Sequence, residues 1–432
     1  MPISQAYLDI IGCGKMSLAK FISDGTSSKV YDDGFKSGAR KHATDFTRKR
    51  GMPFEEVVLF MLMRFRCSTS SALRRFFDML GRGLPIRQQS FSESRYKIKH
   101  EAFIELFKVT VDAMLAHCRK KWHGYRLLAI DGSKINLPQD AALMAFFGSN
   151  GRGAKSCQAQ GSLIYDVLND IVIDAAIAPL GDDERALAIA HLDDCKKRIP
   201  DEKKLVLFDR GYPSFDLIEK LESDGFHYVM RVRKKFNCDI DAQSASDGFV
   251  WLTKGEKRIH IRVIKFVLDS GEEETLITNI ADKRLGKNAF KKLYFMRWPV
   301  ETKYNIAKQK LQVENFSALT AEGIKQDFYA AMYLVNVAAA AALDAQSEID
   351  AANKDKGNKY EQKANINELI GILKDKLIFA LVEEDTDKTA AMIQDIINAI
   401  TRHTIPIRDN RSIPRNPYPR CANFHHNQKV NC

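Results

Sequence analysis

Two short segments, Leu127–Asp131 (LLAID) and Leu205–Asp209 (LVLFD), are apolar up to a closing aspartate. Four consecutive apolar side chains ending in a carboxylate are the pattern of a buried strand that delivers an acid to the edge of a sheet. Taken singly, each aspartate is more simply a cap or turn residue. The pair gains weight from a third segment, Tyr294-x2-Arg297-x3-Glu301-x6-Lys308. On a helix turning about 100° per residue these four positions share an arc of roughly 60°, one stripe of hydroxyl, guanidinium, carboxylate and ammonium. Pro299 belongs in the first turn of a helix, which would start the helix near Arg297 and bring Tyr294 and Arg297 in from the preceding turn.

Three carboxylates without a matching Cys/His pattern favour a hard, oxygen-seeking cation, Mg²⁺ or Mn²⁺, over zinc. Two such ions about 4 Å apart activate a water or a 3′-hydroxyl and stabilise the leaving oxygen of an in-line phosphoryl transfer. The 8 cysteines, at positions 13, 67, 118, 157, 195, 238, 421 and 432, contain no C-x-x-C pair. They predict neither a zinc site nor a disulfide framework, and hence a reducing cytoplasm.

At these residues the chain resembles the DDE transposases of bacterial insertion sequences, specifically the insertion sequence 4 family. All four positions and spacings of that family's Y-(2)-R-(3)-E-(6)-K signature are present, Asp131-Gly132-Ser133 is similar to its DG(S/T) box, and Asp209-Arg210-Gly211-Tyr212 to its DRGY/F box. The resemblance implies an α/β, ribonuclease H-like catalytic domain with a β-rich insertion, preceded by a helical DNA-binding region and followed by a helical C-terminal region. It implies that Asp131, Asp209 and Glu301 are catalytic and hold two Mg²⁺ ions, with Mn²⁺ as a substitute. Tyr294, Arg297 and Lys308 would grip phosphates, and Arg210 joins them as a DNA-binding candidate. The partners implied are DNA, as terminal inverted repeats and as target, and a second copy of the chain on paired ends.

Composition agrees with a large globular protein: 432 residues suggest two to four folding units, and 45% hydrophobic content is enough to bury them. Against 55 Asp and Glu stand 66 Lys and Arg, a net charge of +11 that suits a polyanionic partner. The N-terminus carries Asp9 and lacks a basic start followed by a long apolar stretch, so no secretory signal is expected. The most apolar stretch, Phe328 to Leu343, falls short of the roughly 20 residues of a membrane span and reads as a buried helix. No membrane partner is expected, and the setting expected is cytoplasmic and nucleoid-associated. A glycine-rich segment at 148–156 lacks the Gly-Lys adjacency of a P-loop, so no nucleotide cofactor is expected either.

Along the chain, residues 1–120 read as helical and basic, with helices at Phe54–Arg66 and Ser71–Leu80. A short polar helix followed by a longer one over 90–118 is compatible with a helix-turn-helix reader, in which Arg95, Lys97 and Lys99 face phosphate or bases. From pattern alone, a solvated basic face on a helical bundle accounts for them equally well. Residues 121–235 alternate strands (Arg126–Ile130, Ala159–Leu168, Ile171–Ala178, Lys204–Phe208, His227–Val232) with helices near Glu184–Lys197 and Ser214–Ser223. This is the element order of the ribonuclease H-like fold. Residues 236–290 are β-rich and predict an inserted sheet; 291–345 hold the second part of the core with the Glu301 helix.

In the insertion, Trp251 is a candidate for stacking on a flipped-out base, although a lone strand Trp is more often core. Trp298, beside Arg297, is a DNA-binding candidate with the same packing alternative. Glu184 and His191 share a helix face, for which packing is the better account. Within 346–432, residues 346–365 read as a linker, two helices follow near Ile366–Val382 and Thr386–Thr401, and Arg408, Arg411, Arg415 and Arg420 lie on an extended basic tail.

The expected activity is metal-dependent cleavage at insertion-sequence ends and strand transfer by a cut-and-paste DDE mechanism. A DNA-binding protein without chemistry and a structure-selective nuclease on the same fold are the competing classes.

Overall fold

The computed structural model describes residues 17–48, 51–63, 67–83, 86–151, 155–268, 271–297, 300, 303–304, 306–354 and 356–408. The chain divides into two compact units. One consists of the described residues within Met1–His117, Asn136–Phe146 and Ala307–Cys432; the other of Cys118–Ile135 and Phe147–Ile306.

The first unit is built on the helix Ala321–Asn353, 33 residues long. Thr320 caps its start by accepting a hydrogen bond from the Gly323 N–H. By length and composition it is capable of crossing a membrane, yet 83% of its apolar window is buried inside the protein. The expected buried helix over Phe328–Leu343 is therefore its centre. It packs against the helices Leu18–Val30, Phe54–Met63, Glu101–His117, Ile366–Val382 and Thr386–Thr401. Its many alanines let neighbouring helices approach closely, and its buried polar groups find partners there: Asn336 Nδ2 donates to Thr110 Oγ1 at 3.0 Å and the Tyr333 hydroxyl to Thr26 Oγ1 at 3.0 Å. Asp344 accepts from Ser17 Oγ and from the N–H groups of Leu18 and Ala19 at 2.7 to 3.0 Å, neutralising the exposed donors at the start of Leu18–Val30.

Two expectations change here. Residues 346–353 continue the long helix, so the linker is shorter than its polar composition suggests. The outer face of a helix end carries the same residues as a loop. Beyond it Gln362–Ala364 pairs antiparallel with Thr404–Pro406, and Arg411, Arg415 and Arg420 of the basic tail lie outside the described residues.

The second unit is a mixed sheet flanked by helices. Its strands are β1 (Arg126–Asn136), β2 (Ser149–Asn150), β3 (Ser156–Asp166), β4 (Ile171–Pro179), β5 (Lys204–Phe208), β6 (His227–Val232), β7 (Asp247–Lys254), β8 (Lys257–Val267) and β9 (Glu273–Thr278). The spatial order is β2-β3-β1-β5-β6-β9-β8-β7, with β4 also on β3. The helix Glu184–Arg198 links β4 to β5 and the helix Phe215–Ser223 links β5 to β6. β1, β5 and β6 are parallel neighbours. A parallel centre covered by crossover helices buries both faces, which is why Leu127–Ile130 and Leu205–Phe208 are unbroken apolar runs. β3 runs antiparallel to β1: the Val167 N–H reaches the Leu127 carbonyl, while Gly161, earlier in β3, lies against Ser133 and Ile135, later in β1.

At the far end of the paired strands, Arg126 is fully buried and satisfied by Asp166 at 2.6 Å and Glu202 at 2.9 Å. Removing both acids would strand a buried guanidinium.

The expected inserted sheet takes a different form. β9 pairs antiparallel with β6, β8 with β9 and β7 with β8, so these strands prolong the main sheet instead of making a second one. The free edge of β6 supplies a ready ladder, and strand composition carries no information about which edge a hairpin will find.

Candidate active site

The geometry follows from strand register. β1 and β5 pair as Arg126↔Lys204 through Ala129↔Leu207, an offset of 78 (204 minus 126). Asp209 minus Asp131 is also 78, so the same offset sets Asp209, the first residue beyond β5, opposite Asp131 on β1. Sequence reasoning ended the first strand at Ile130, whereas β1 runs on to Asn136 and carries Asp131 within it. The continuation is held by Gly161 of β3, where a Cβ would come 3.0 Å from Ile135 Cγ1 and 3.1 Å from the Ser133 carbonyl oxygen. Asp209 leaves β5 into a tight loop, its Oδ1 accepting from the Gly211 N–H at 2.6 Å.

The third motif is broken into pieces. Tyr294 lies in the last turn of the helix Lys287–Phe295, Arg297 follows that helix, and Lys308 lies in the π-helical turn Ile306–Lys310. A single α-helical stripe through all of them is therefore not what forms; Pro299 interrupts it in sequence, and the π turn changes its phase. Glu301 and Trp298 lie outside the described residues. The residues that bracket Glu301 both meet Asp131: Arg297 Nη1 is 3.8 Å from its Oδ2, and the Tyr304 hydroxyl donates to its carbonyl oxygen at 2.9 Å. Lys303, buried, pairs with Asp170 at 2.6 Å and fastens the same segment to the β3–β4 turn.

Electrostatics at the site are dominated by carboxylates. The Tyr212 ring is buried, and its hydroxyl has no hydrogen-bond partner. Burial first, then Asp131, Glu184 and Asp209, raise its proton affinity, so it stays protonated. Tyr304 is likewise held protonated by burial, with Asp131, Tyr212 and Glu184 adding to it. Burial pushes the Tyr294 hydroxyl up to about 12 against the pull of Arg297, which hydrogen-bonds it, and of Arg231. Beside the Asp209 loop, Arg185, Arg210, Arg233, Lys234 and Lys235 line one recess, and Arg210 is exposed in it. Such a concentration of cations suits a polyanionic backbone. Sequence reasoning missed Tyr304, Arg185 and Lys303; the one signal available was the position of Tyr304, three residues after Glu301 and so on its face of a helix.

The remaining candidates are dispersed. Lys308, in the helical unit, lies 3.6 Å from Glu314, which also accepts from the Asn136 N–H at 3.0 Å. Trp251 is 53% exposed on β7, its ring centroid 4.7 Å from that of His260, its cross-strand partner; Phe249 stacks on the same imidazole at 5.1 Å. The exposure excludes the core role. Lys97 is exposed, and Lys99 Nζ donates to the Gly38 carbonyl at 3.1 Å.

Arg95 differs from expectation. It is buried, and its guanidinium is spent on Gln326 at 2.7 Å, Ser317 at 2.5 Å, the Gly323 carbonyl at 2.6 Å and Asp327 at 3.1 Å. It clamps the short helix Gln88–Arg95 to the start of the long one and leaves no donor facing outward. Among the described residues, one group of three potential metal-binding side chains occurs, His100, Glu101 and Glu322. It works as a helix cap, since Glu322 accepts from the His100 N–H at 2.7 Å.

Residues 122–337, half of the 432 residues, match the family described as Transposase DDE domain. The chain belongs to that family. No curated protein matches it. Among solved structures similar to this DDE transposase is the cryo-EM structure of the piggyBac transposase synaptic complex with hairpin DNA, at TM-score 0.47 and 9% identity over 88% of this chain and 84% of that one. The matched segment contains Asp131, Asp209, Glu301 and every strand from β1 to β9.

Proposed function

We propose that this DDE transposase is of the insertion sequence 4 type and moves its element by cut and paste: it binds terminal inverted repeats, cleaves at the element boundary and joins the ends to target DNA. The observation that carries this reading is the β1–β5 register whose offset sets Asp209, just beyond β5, opposite Asp131, with Arg297 and Tyr304 from either side of Glu301 both meeting Asp131. Glu301 then completes the DDE triad. The strand order around β1, with β3 and β4 on one side and the parallel β5 and β6 on the other, supports a ribonuclease H-like core.

The donor set fits Mg²⁺ or Mn²⁺: it is all oxygen, and it gathers negative charge around a buried hydroxyl without a partner. Asp131, Asp209 and Glu301 would hold two such ions, which supply polarisation of the phosphodiester and an activated oxygen nucleophile. The chain's own part is positioning and charge neutralisation. Arg297 orients Asp131 and, with Tyr294, faces the phosphate next to the scissile bond. Lys308 reaches phosphate by exchanging its contact with Glu314. Arg210 and the recess beside it hold the neighbouring backbone, and the exposed face of Trp251, His260 and Phe249 stacks on an unpaired base. The N-terminal helices, with Lys97 and Lys99, hold the terminal repeats, and two copies act on paired ends in the cytoplasm, at the nucleoid, without a nucleotide cofactor.

The test is a denaturing-gel cleavage assay on DNA carrying the element's own termini, with Mg²⁺ or EDTA, comparing wild type with Asp209→Asn. Metal-dependent cuts at the boundary that vanish in the variant support the reading, and joined products add strand transfer. Tight end binding without cutting in either metal would replace it with a non-catalytic binding protein.

A further inference from the structure

Two and three positions after Glu301 come Lys303 and Tyr304, and both are anchored to the frame of the strand that carries Asp131. The Tyr304 hydroxyl donates to the Asp131 carbonyl at 2.9 Å. Lys303 is 6% exposed, and its one ion-pair partner among the described residues is Asp170, at 2.6 Å. Asp170 lies in the turn between β3 and β4, and that turn is pinned to the base of β1. The Val167 N–H reaches the Leu127 carbonyl at 2.9 Å, and the Asn169 side chain joins the Lys120 backbone to the Asp166 carboxylate. A single anchor would let the segment pivot, whereas two, at the base of β1 and at Asp131, fix its direction as well as its distance.

The backbone at Asp170 has φ +63°, in the left-handed region that glycine adopts without cost. What Asp170 adds there is its carboxylate. The same Oδ1 that meets Lys303 accepts a hydrogen bond from the Tyr165 hydroxyl, which burial first and then Asp170 keep protonated. The Lys303 ammonium lies 5.6 Å from the centroid of that buried ring. An apolar side chain at 303 would pack on Tyr165 without the cost of burying an ammonium, so the ion pair contributes direction more than stability.

We infer that Asp170, acting through Lys303, is a positioning residue for the DDE centre: the ion pair orients the segment that follows Glu301, and so presents the third carboxylate to Asp131. The inference rests on the metal-dependent reading above and adds to it a pair that touches neither the metal nor the DNA.

The test is Mn²⁺ binding by the full-length protein, followed by electron paramagnetic resonance, for wild type, Asp209→Asn, Asp170→Asn and the double variant Asp170→Asn/Lys303→Met. The double variant leaves no ammonium buried alone and should melt within about 2 °C of wild type in EDTA. It should nevertheless bind Mn²⁺ about ten-fold more weakly and cleave DNA about 10- to 100-fold more slowly, with its affinity for DNA unchanged. Asp170→Asn alone keeps the backbone of the turn and the acceptor for Tyr165, and should lose Mn²⁺ affinity in the same direction. If Asp209→Asn loses the ion while a folded Asp170 variant binds it within about two-fold of wild type, the pair is structural and the inference falls alone. If the wild type binds no Mn²⁺, the metal-dependent reading falls and takes the inference with it.

Discussion

At the scale of single residues, the side chains legible in the sequence were those whose place is set by a strand. Asp131 and Asp209 were readable because an apolar run of fixed length delivers each, and strand register then brings them together. Arg95 was misread for a converse reason: a guanidinium on a polar helix looks the same whether it meets water or a buried cage, and only the tertiary partners decide. Arg95→Ala would leave the Asp327 carboxylate, 5% exposed, without its cation. A loss of about 3–5 kcal/mol is expected in urea unfolding, and a change under about 1 kcal/mol would refute the cage. Lys308 has a pH signature. Burial holds its ammonium below the ordinary lysine value of 10.5, and Glu314 restores only part of the difference. The unfolded chain keeps that proton to higher pH than the folded one, so folding stability rises with pH between the two values. As pH climbs through the alkaline range below 10.5, the melting temperature of wild type should gain on that of Lys308→Met; a constant difference would mean that the lysine titrates normally.

At the scale of elements, the strands Lys204–Phe208 and His227–Val232 and the helices Ile366–Val382 and Thr386–Thr401 follow from periodicity and caps with their ends in place. What periodicity could not give was phase across Pro299 and the π turn Ile306–Lys310, because a stripe computed at 100° per residue presumes an unbroken α-helix. Nor did it give the edge on which β9 settles. The result is a sheet that presents Trp251, His260 and Phe249 on its outermost strands, an apolar surface with no structural need to be there. Trp251→Ala should shift unfolding by no more than about 0.5 kcal/mol, as befits a half-exposed side chain. It should weaken binding to a frayed or hairpin DNA end by about 1–3 kcal/mol in fluorescence anisotropy. Equal affinities for wild type and variant would assign the aromatic face to something other than bases.

At the scale of the molecule, charge and length bounded the class of protein, and the three motifs all fall within the segment that matches the transposase family. The division of the chain was not legible, because the helical unit is assembled from three separate stretches and its spine is a helix late in the sequence. That spine has a practical consequence. The segment shared with the family ends at Val337, near the middle of Ala321–Asn353, and leaves out Ala338–Ala341, Ala345 and Ile349, which are buried. It also leaves out Leu18–Val30 and Glu101–His117, which cover the retained half. Expressed by itself, 122–337 would display a naked stripe of Ile, Phe, Tyr, Leu and Ala to the cytosol, and we expect it in inclusion bodies where the full chain stays in the supernatant. Soluble, monodisperse 122–337 by size-exclusion chromatography would overturn this. A boundary drawn by likeness to relatives would in that case also be a boundary of folding, whereas the course of the long helix makes the smallest expressible piece of this protein nearly the whole of it.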